Sequence, residues 1–313
     1  MPKISVCIPT RNRAAILRLC IDSVLAQTMT DWEMIISDNA SSDNTPEVIA
    51  SYHDPRIRAI RHPENIGMGK NFNAVIQSAT GDYVIMLMDD DVLLPEFLTE
   101  QSKVLDEQTN VAFTCTDYEV IDAEGAIIRN IYFHNDSHRI FTSSQSESGW
   151  SFISEYLLGH RAVGLPSSIL FRRKLAVQCN FFDEHIGNPL DADLWLRLSR
   201  LGDFYYLDKK LLLMRWHDNL SKKLTAGPTG YRDIYSLTKK HLQLNAERED
   251  ITDHAVAMYG RLVRLMLPYY TQALAKDRLE IISDFNGLPL PLPQRLILTT
   301  QLFWLRLTHP NRT

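Results

Sequence analysis

The run Tyr83-Val84-Ile85-Met86-Leu87-Met88 carries no charge and ends directly on Asp89-Asp90-Asp91. A short apolar run without alternation, opened by Gly81-Asp82 and closed by Val92-Leu93-Leu94-Pro95, reads as a strand buried on both faces. Such strands belong to sheets covered by helices on each side, so this segment points to an α/β fold. Carboxylates crowded at one strand end repel one another, and a divalent cation with oxygen ligands would relieve the repulsion. The competing reading is a solvated acidic turn ahead of a helix that begins near Pro95. Ligands of open α/β sheets bind outside the carboxyl ends of the strands, which is where these acids would lie.

The segments around it fit the same architecture. Ile4 to Ile8 reads as a first strand, followed by a helix with Ile16/Leu17, Cys20/Ile21 and Val24/Leu25 at helical spacing. Trp32 to Ser37 makes a second strand, Thr45 to Ser51 a helix, Ile57 to Arg61 a third strand and Met68 to Ala79 a helix. Strands alternating with helices predict a mostly parallel sheet with right-handed crossovers. Val111 to Thr116, Tyr118 to Asp122, Ala126 to Phe133, Ser167 to Phe171, Phe204 to Leu207 and Leu211 to Trp216 are further strand candidates. Trp150 to Leu158 and Leu194 to Leu201 read as helices, and the polar residues 134–149 as a mobile surface loop. After Ala226-Gly227-Pro228 the pattern is helical throughout. The expected organisation is a catalytic α/β domain over residues 1–224 and a helical appendage over 225–313.

Composition narrows the function. With 45% apolar and 23% charged residues the 313-residue chain is an ordinary globular protein. A net charge of −5 argues against a nucleic-acid partner. Cys7, Cys20, Cys115 and Cys179 form no CxxC pair and read as reduced thiols, which predicts neither a zinc site nor a disulfide framework. A strand starting at Lys3 with no basic, apolar leader, and no apolar stretch near the roughly 18 residues of a membrane span, predict a cytoplasmic protein.

Three further loops fall at strand ends. Pro9-Thr10-Arg11-Asn12 follows the first strand and reads either as a plain strand-to-helix loop or as a nucleotide cradle, with Arg11 near a base or phosphate. It has neither the Walker lysine nor GxGxxG, which excludes P-loop and Rossmann dinucleotide sites. Asp38-Asn39-Ala40-Ser41-Ser42-Asp43-Asn44-Thr45 supplies turn and capping residues, yet Asp38 sits directly at a strand end, where a carboxylate can accept hydrogen bonds from a nucleobase or ribose. Asn65-Ile66-Gly67-Met68-Gly69-Lys70-Asn71-Phe72-Asn73 opens a helix, whose amino terminus favours anions.

Taken in order, SVCIPTRNR, IISDNASSDNT and ENIGMGKNFNAVIQSATGDYVIMLMDDDVLLP resemble the family 2 glycosyltransferases of the GT-A fold, over roughly residues 3–220. The resemblance implies an inverting transfer of a sugar from a nucleotide-diphosphate donor, a UDP-sugar by family frequency, to a glycan or lipid-linked acceptor in cell-surface polysaccharide synthesis. It implies Mn²⁺ or Mg²⁺ at the acidic triplet, with Asp90 as the first ligand, Asp91 beside it and Asp89 toward the donor. The common family form has Asp at the position of Met88, so the carboxylates here are shifted. Pro9, Thr10, Arg11, Asp38, Lys70 and Asn73 would contact the donor nucleotide, although the Arg common before that Asn is Phe72 here. Leu190-Asp191-Ala192-Asp193-Leu194-Trp195 resembles the family's second acidic motif, with Leu190 replacing its Glu. Asp191 then falls on the catalytic base, and Asp193 and Trp195 on acceptor or structural support. His217, in Met214-Arg215-Trp216-His217, matches the closing Arg-x-His and implies a metal or diphosphate contact, against the alternative of a structural histidine.

Residues 134–173 are the expected acceptor side, with Arg172 and Arg173 either an acceptor phosphate contact or a solvated basic pair. Gln294 to Thr308 is apolar on several positions and flanked by arginines. Such a helix suits the inner face of a membrane, with packing back on the catalytic domain or against a second subunit of a homodimer as the alternative. Two other activities compete: a sugar-phosphate nucleotidyltransferase, which needs a Gly-rich basic loop that Pro9-Thr10-Arg11-Asn12 is not, and a non-catalytic sugar-nucleotide or glycan-binding module.

Overall fold

A computed structural model describes residues 1–128, 141, 143–157, 165–216, 228–245 and 247–248. It divides into two compact units, Met1–Phe152 with Ala162–His217, and Ile153–Arg161 with Asp218–Thr313. His217 and the Gln294 to Thr308 helix lie outside the described residues, as do most of the segment expected to form a strand to Phe133 and part of the expected acceptor region.

The first unit is built on a sheet of strands β1 (Ile4–Thr10), β2 (Trp32–Asp38), β3 (Ile57–Arg61), β4 (Tyr83–Met86), β5 (Val92–Leu93), β6 (Val111–Ile121), β7 (Gln145–Glu147), β8 (Ile169–Arg172) and β9 (Asp203–Arg215). The spatial order is β3-β2-β1-β4-β8-β6-β9-β5, with β7 on β9. Helices α1 (Leu17–Leu25), α2 (Thr45–Ala50), α3 (Met68–Gln77), α4 (Phe97–Glu107), α5 (Gly149–Leu157), α6 (Arg173–Gln178) and α7 (Leu190–Ser199) connect the strands. In the second unit α8 (Pro228–Leu244) buries Leu237, Thr238 and His241. Among the described residues no helix is long and apolar enough to cross a membrane.

Every residue of β1, β2 and β4 is buried, as an unalternating apolar run requires when helices cover both faces. The pairs β1·β2, β2·β3 and β1·β4 are parallel. The chain winds outward from β1 to β3 and then returns to the other side of β1 as β4. That reversal is a topological switch point, and it opens a crevice at the carboxyl ends of β1 and β4.

Beyond β4 the sheet is mixed rather than mostly parallel. Strand β8 is antiparallel to both β4 and β6, while β9 is parallel to β6. The expected strands 111–116 and 118–122 are one strand, because β6 absorbs register shifts around Asp117 without leaving the sheet. Likewise β9 is continuous where two strands were expected. Val92-Leu93, expected as the approach to a helix, pairs with Leu213 and Leu212. The polar segment 134–149 contributes β7, an edge strand on β9. The helix expected from Leu194 begins at Leu190, where Asp191 and Asp193 in its first turn favour an earlier start. Three of the thiols are buried and Cys179 is half-buried, all free.

Candidate active site

The loop after β1 is shaped by side chains from the loop after β2. Asn12 adopts a left-handed backbone with φ of 55°, which turns the chain back over the strand ends. Its amide donates to Ser41 Oγ at 2.9 Å and its Oδ1 accepts from the Ser42 amide at 2.8 Å. The amide of Arg13 donates to Thr45 Oγ1 at 3.0 Å, and that of Ala14 to Asp43 Oδ2 at 3.2 Å. The Asx- and Ser-rich segment therefore fixes the first loop as well as its own turn.

Asp38 ends β2 directly opposite Thr10 of β1 and Arg61 of β3. It is 2% exposed, and its Oδ1 accepts from the Ser41 amide. Its Oδ2 and the neighbouring Thr10 Oγ1 are buried without a hydrogen-bond partner. Arg61 Nε lies 3.5 Å from Asp38 Oδ2, an ion pair that leaves the oxygen's hydrogen bond unmade. A buried acceptor left open is costly in the free protein and suits a ligand N–H or O–H.

The three acids after β4 have different surroundings. Asp89 is buried; desolvation first, then the charge of Asp90, push it up to about 6. The amide of Arg11, the Arg13 guanidinium and the Thr10 hydroxyl partly offset that rise, although Thr10 Oγ1 completes no hydrogen bond of normal geometry. Asp90 is less buried and stands beside Arg13: Arg13 Nε is 3.6 Å from Asp89 Oδ1 and Arg13 Nη2 is 4.0 Å from Asp90 Oδ2. Asp91 faces inward, where Oδ1 accepts from the Arg215 amide at 3.0 Å and Ser167 offers a further hydrogen bond. Burial and Asp90 raise Asp91 to about 7. Asp91, expected as a metal ligand, is here tied to β9 and to the segment before β8. Ser167 Oγ also accepts from the Met88 amide, and Arg215 donates to the backbone carbonyls of Asp90, Asp122 and Ala123. These contacts hold the backbone of the triplet still.

Among the described residues no group of three His, Cys, Asp or Glu converges as a complete ligand set. Asp89 Oδ1 and Asp90 Oδ2 nevertheless already share one positive group, the Arg13 guanidinium, between them. Two carboxylate oxygens arranged around a cation, with phosphate and water free to complete the sphere, fit Mn²⁺ or Mg²⁺.

Asp191 sits at the start of α7, half-buried, and desolvation pushes it up to about 6 despite the Ala192 amide that donates to its Oδ1 at 2.8 Å. The topology puts it at the same edge of the sheet as the triplet. Strand β9 runs in the direction of β1 and β4, and α7 leads back into β9, so the helix starts at the carboxyl edge. Several contacts seat it there. Asn73 of α3 donates to the Phe182 carbonyl and Glu184 Oε1 and accepts from the Phe182 amide. A Cβ on Gly69 would approach the Glu184 backbone to 3.3 Å, so that glycine admits the same segment. Trp195 packs on Phe113 and Phe171 with centroids 6.0 and 5.4 Å away.

The remaining expected residues divide plainly. Asp193 is fully buried and pairs with Arg197, whose guanidinium also holds the Cys179 and Phe181 carbonyls, so it is a structural acid. Trp195 is core. Asn73 is a clamp between α3 and the segment before α7. Lys70 and Arg11 are exposed, with only the amide of Arg11 directed at the triplet. Arg172 as an acceptor contact is corrected: it pairs with Tyr83 at the opposite end of β4 and donates to the carbonyls of Val111, Leu105 and Gln108. Arg13, Arg61 and Ser167 were given no site role by the sequence reading, and Arg215 entered it only as the arginine of the closing Arg-x-His motif. Arg13 carried a weak signal, as a second arginine in a strand-end loop; the others become visible only through strand register.

Residues 5–176 match the model of the glycosyl transferase family 2. The chain belongs to that family. An uncharacterised glycosyltransferase of Rickettsia prowazekii is 30% identical over 294 residues, covering 91% of this chain and 87% of the relative. The chondroitin synthase of Pasteurella multocida is 29% identical over 211 residues, covering 67% of this chain but only 20% of that enzyme. The chain thus spans about a fifth of the synthase it matches. Among solved structures, residues 1–349 of TarS from S. aureus in complex with UDP-GlcNAc superpose with a TM-score of 0.73 at 15% identity, covering 96% of this chain and 87% of the other. The fold is that of the GT-A glycosyltransferases.

Proposed function

We propose that this family 2 chain is a metal-dependent inverting glycosyltransferase that moves a sugar from a UDP-linked donor to a hydroxyl of a growing surface glycan or lipid-linked glycan. The observation that carries the reading is the pairing of two acid clusters at one edge of the sheet. Asp89 and Asp90 converge on a shared cation, and Asp191, at the start of α7, has no cation beside it among the described residues. The UDP-GlcNAc complex of TarS and the likeness to chondroitin synthase support the donor and the polymeric acceptor.

Each group then has a distinct task. Asp38 Oδ2, open and buried, accepts a hydrogen bond from the base or ribose of the donor. Asp89 and Asp90 hold Mn²⁺ or Mg²⁺, while Arg215 and Ser167 keep their backbone fixed. The cation, when bound, stabilises the negative charge that develops on the departing diphosphate. Asp191 accepts the proton of the acceptor hydroxyl as that oxygen attacks the anomeric carbon. Its raised pKa, about 6, makes it a stronger base than an exposed aspartate while leaving it ionised at neutral pH. With one base and one displacement on the face opposite the leaving group, the anomeric configuration inverts.

The test is D191N with UDP-sugars and Mn²⁺. Transfer should fall by about 10²–10⁴ while UDP affinity stays at the wild-type value. Wild-type turnover in D191N would remove Asp191 from the role, and a product of retained configuration would overturn the single displacement.

A further inference from the structure

The Arg13 guanidinium is a cation that both carboxylates of the proposed metal site share in the free protein, and it is anchored for that position. Its backbone amide is held by Thr45 Oγ1, and the carbonyl of Arg13 accepts the first amides of α1, from Ile16 and Leu17. The left-handed turn at Asn12 aims the side chain back across the carboxyl ends of β1 and β4. From there it lies 3.6 Å from Asp89 Oδ1 and 4.0 Å from Asp90 Oδ2. Both distances exceed those of a charge-assisted hydrogen bond, so the guanidinium balances charge without being locked to either oxygen. Its side chain is 30% exposed, against 8% for Asp89 and 16% for Asp90, so it is the least confined of the three.

We propose that Arg13 is a resident counter-cation that a divalent ion displaces, and that the displaced guanidinium then pairs with the donor's diphosphate. This rests on the donor-site reading above. A dication and a guanidinium repel at the separations these oxygens impose, so loading the ion drives Arg13 off the carboxylates. A diphosphate bound to that ion would bring its remaining anionic oxygens within reach of Arg13, and a planar fork of N–H donors matches phosphate oxygens. The same residue therefore weakens binding of the ion alone and strengthens binding of the ion together with the diphosphate.

The signature is a pair of effects with opposite signs. Free Mn²⁺ measured by paramagnetic resonance gives the affinity of the nucleotide-free protein, and calorimetry with UDP at saturating Mn²⁺ gives the second affinity. In R13A, Mn²⁺ should bind about tenfold more tightly and UDP about tenfold more weakly, each a shift of about 1.4 kcal/mol. R13K keeps the competing charge but loses the fork, so Mn²⁺ affinity should stay near wild type while UDP affinity still falls. UMP, which lacks the diphosphate, should lose much less than UDP in both variants. A merely structural arginine would move both affinities the same way, and that result, or unchanged Mn²⁺ affinity in R13A, overturns the proposal. Wild-type protein that binds neither Mn²⁺ nor UDP would instead overturn the donor-site reading itself.

Discussion

At the amino-terminal edge of the sheet, Glu33 of β2 is buried beside Ser5 and Thr80 and bonded by Ser5 Oγ, Thr80 Oγ1, the Thr80 amide and Arg58. These donors overcome the burial that opposes ionisation and hold the carboxyl at about 2. At the carboxyl-terminal edge of the same sheet, Asp89 exposes a similarly small area but lies deeper, and desolvation followed by the charge of Asp90 pushes it up to about 6, with Asp91 at about 7. The difference lies in depth and in the number of donors supplied. One edge surrounds its acid with partners and the other crowds like charges together, leaving Asp38 Oδ2 without a hydrogen bond. An edge that is satisfied contributes stability, whereas one left short of partners is suited to a cation and a ligand.

The largest test of that contrast is D90N. Removing one of the two convergent charges should lower transfer by about 10³-fold. Because the change also relieves repulsion in the free protein, the melting temperature should hold or rise. A D90N protein that melts well below wild type would mean that the triplet serves folding, and the two edges would then be alike. Next comes R172A, at the opposite end of β4 from the triplet. It removes charge-assisted bonds to the carbonyls of Leu105, Gln108 and Val111, which should cost about 3 kcal/mol in urea unfolding. Transfer at 25 °C in the folded fraction should be unaffected, since Arg172 is remote from the acids.

Much of this contrast was legible in the sequence on one side only. Strands β1 and β4 announce themselves as charge-free runs and β2 as an apolar run interrupted by Glu33, and each leads into a loop where local reading places candidate residues: Thr10, Asp38 and Asp89-Asp90. What that reading cannot supply is partners far along the chain. Asp91 turns inward because β9 brings the Arg215 amide to it across 124 residues. Arg172 is a strut because β8 returns antiparallel beside β4. Strand β5 is only Val92-Leu93, too short to show any period. Asp193 and Asp191 look alike as letters two apart, and the helix separates them, one into the Arg197 ion pair and the other to the start of the helix.

Between these effects in size lies the pH profile of transfer. Asp191 must be ionised to accept a proton, and its value is raised to about 6. Turnover under saturating donor and Mn²⁺ should therefore be flat above about pH 7 and fall tenfold for each unit below about 6. A profile still flat at pH 5 would assign the base elsewhere.

The smallest effect is at Glu33, and it fixes the sign of the comparison. Glu33 is lowered from its usual 4.5 to about 2 in the folded protein. The folded state thus binds fewer protons than the unfolded chain between those values. Its stabilisation is fully present above about 4.5 and is lost as pH falls toward 2. Asp89 behaves in the opposite sense: raised from 3.8 to about 6, it costs stability that is absent below about 4 and fully present above about 6. E33Q should lose about 1–2 kcal/mol at pH 7, after allowance for solvent screening, and should lose much less than that near pH 2. D89N should do the reverse, gaining stability at pH 7 and matching wild type below pH 4. Urea unfolding at pH 7 and pH 3.5 distinguishes the two: the E33Q deficit narrows on acidification and the D89N advantage disappears. If both variants were destabilised alike at pH 7, the carboxyl-edge acid would be as well partnered as Glu33, and the division of the sheet into a stabilising edge and a binding edge would fail.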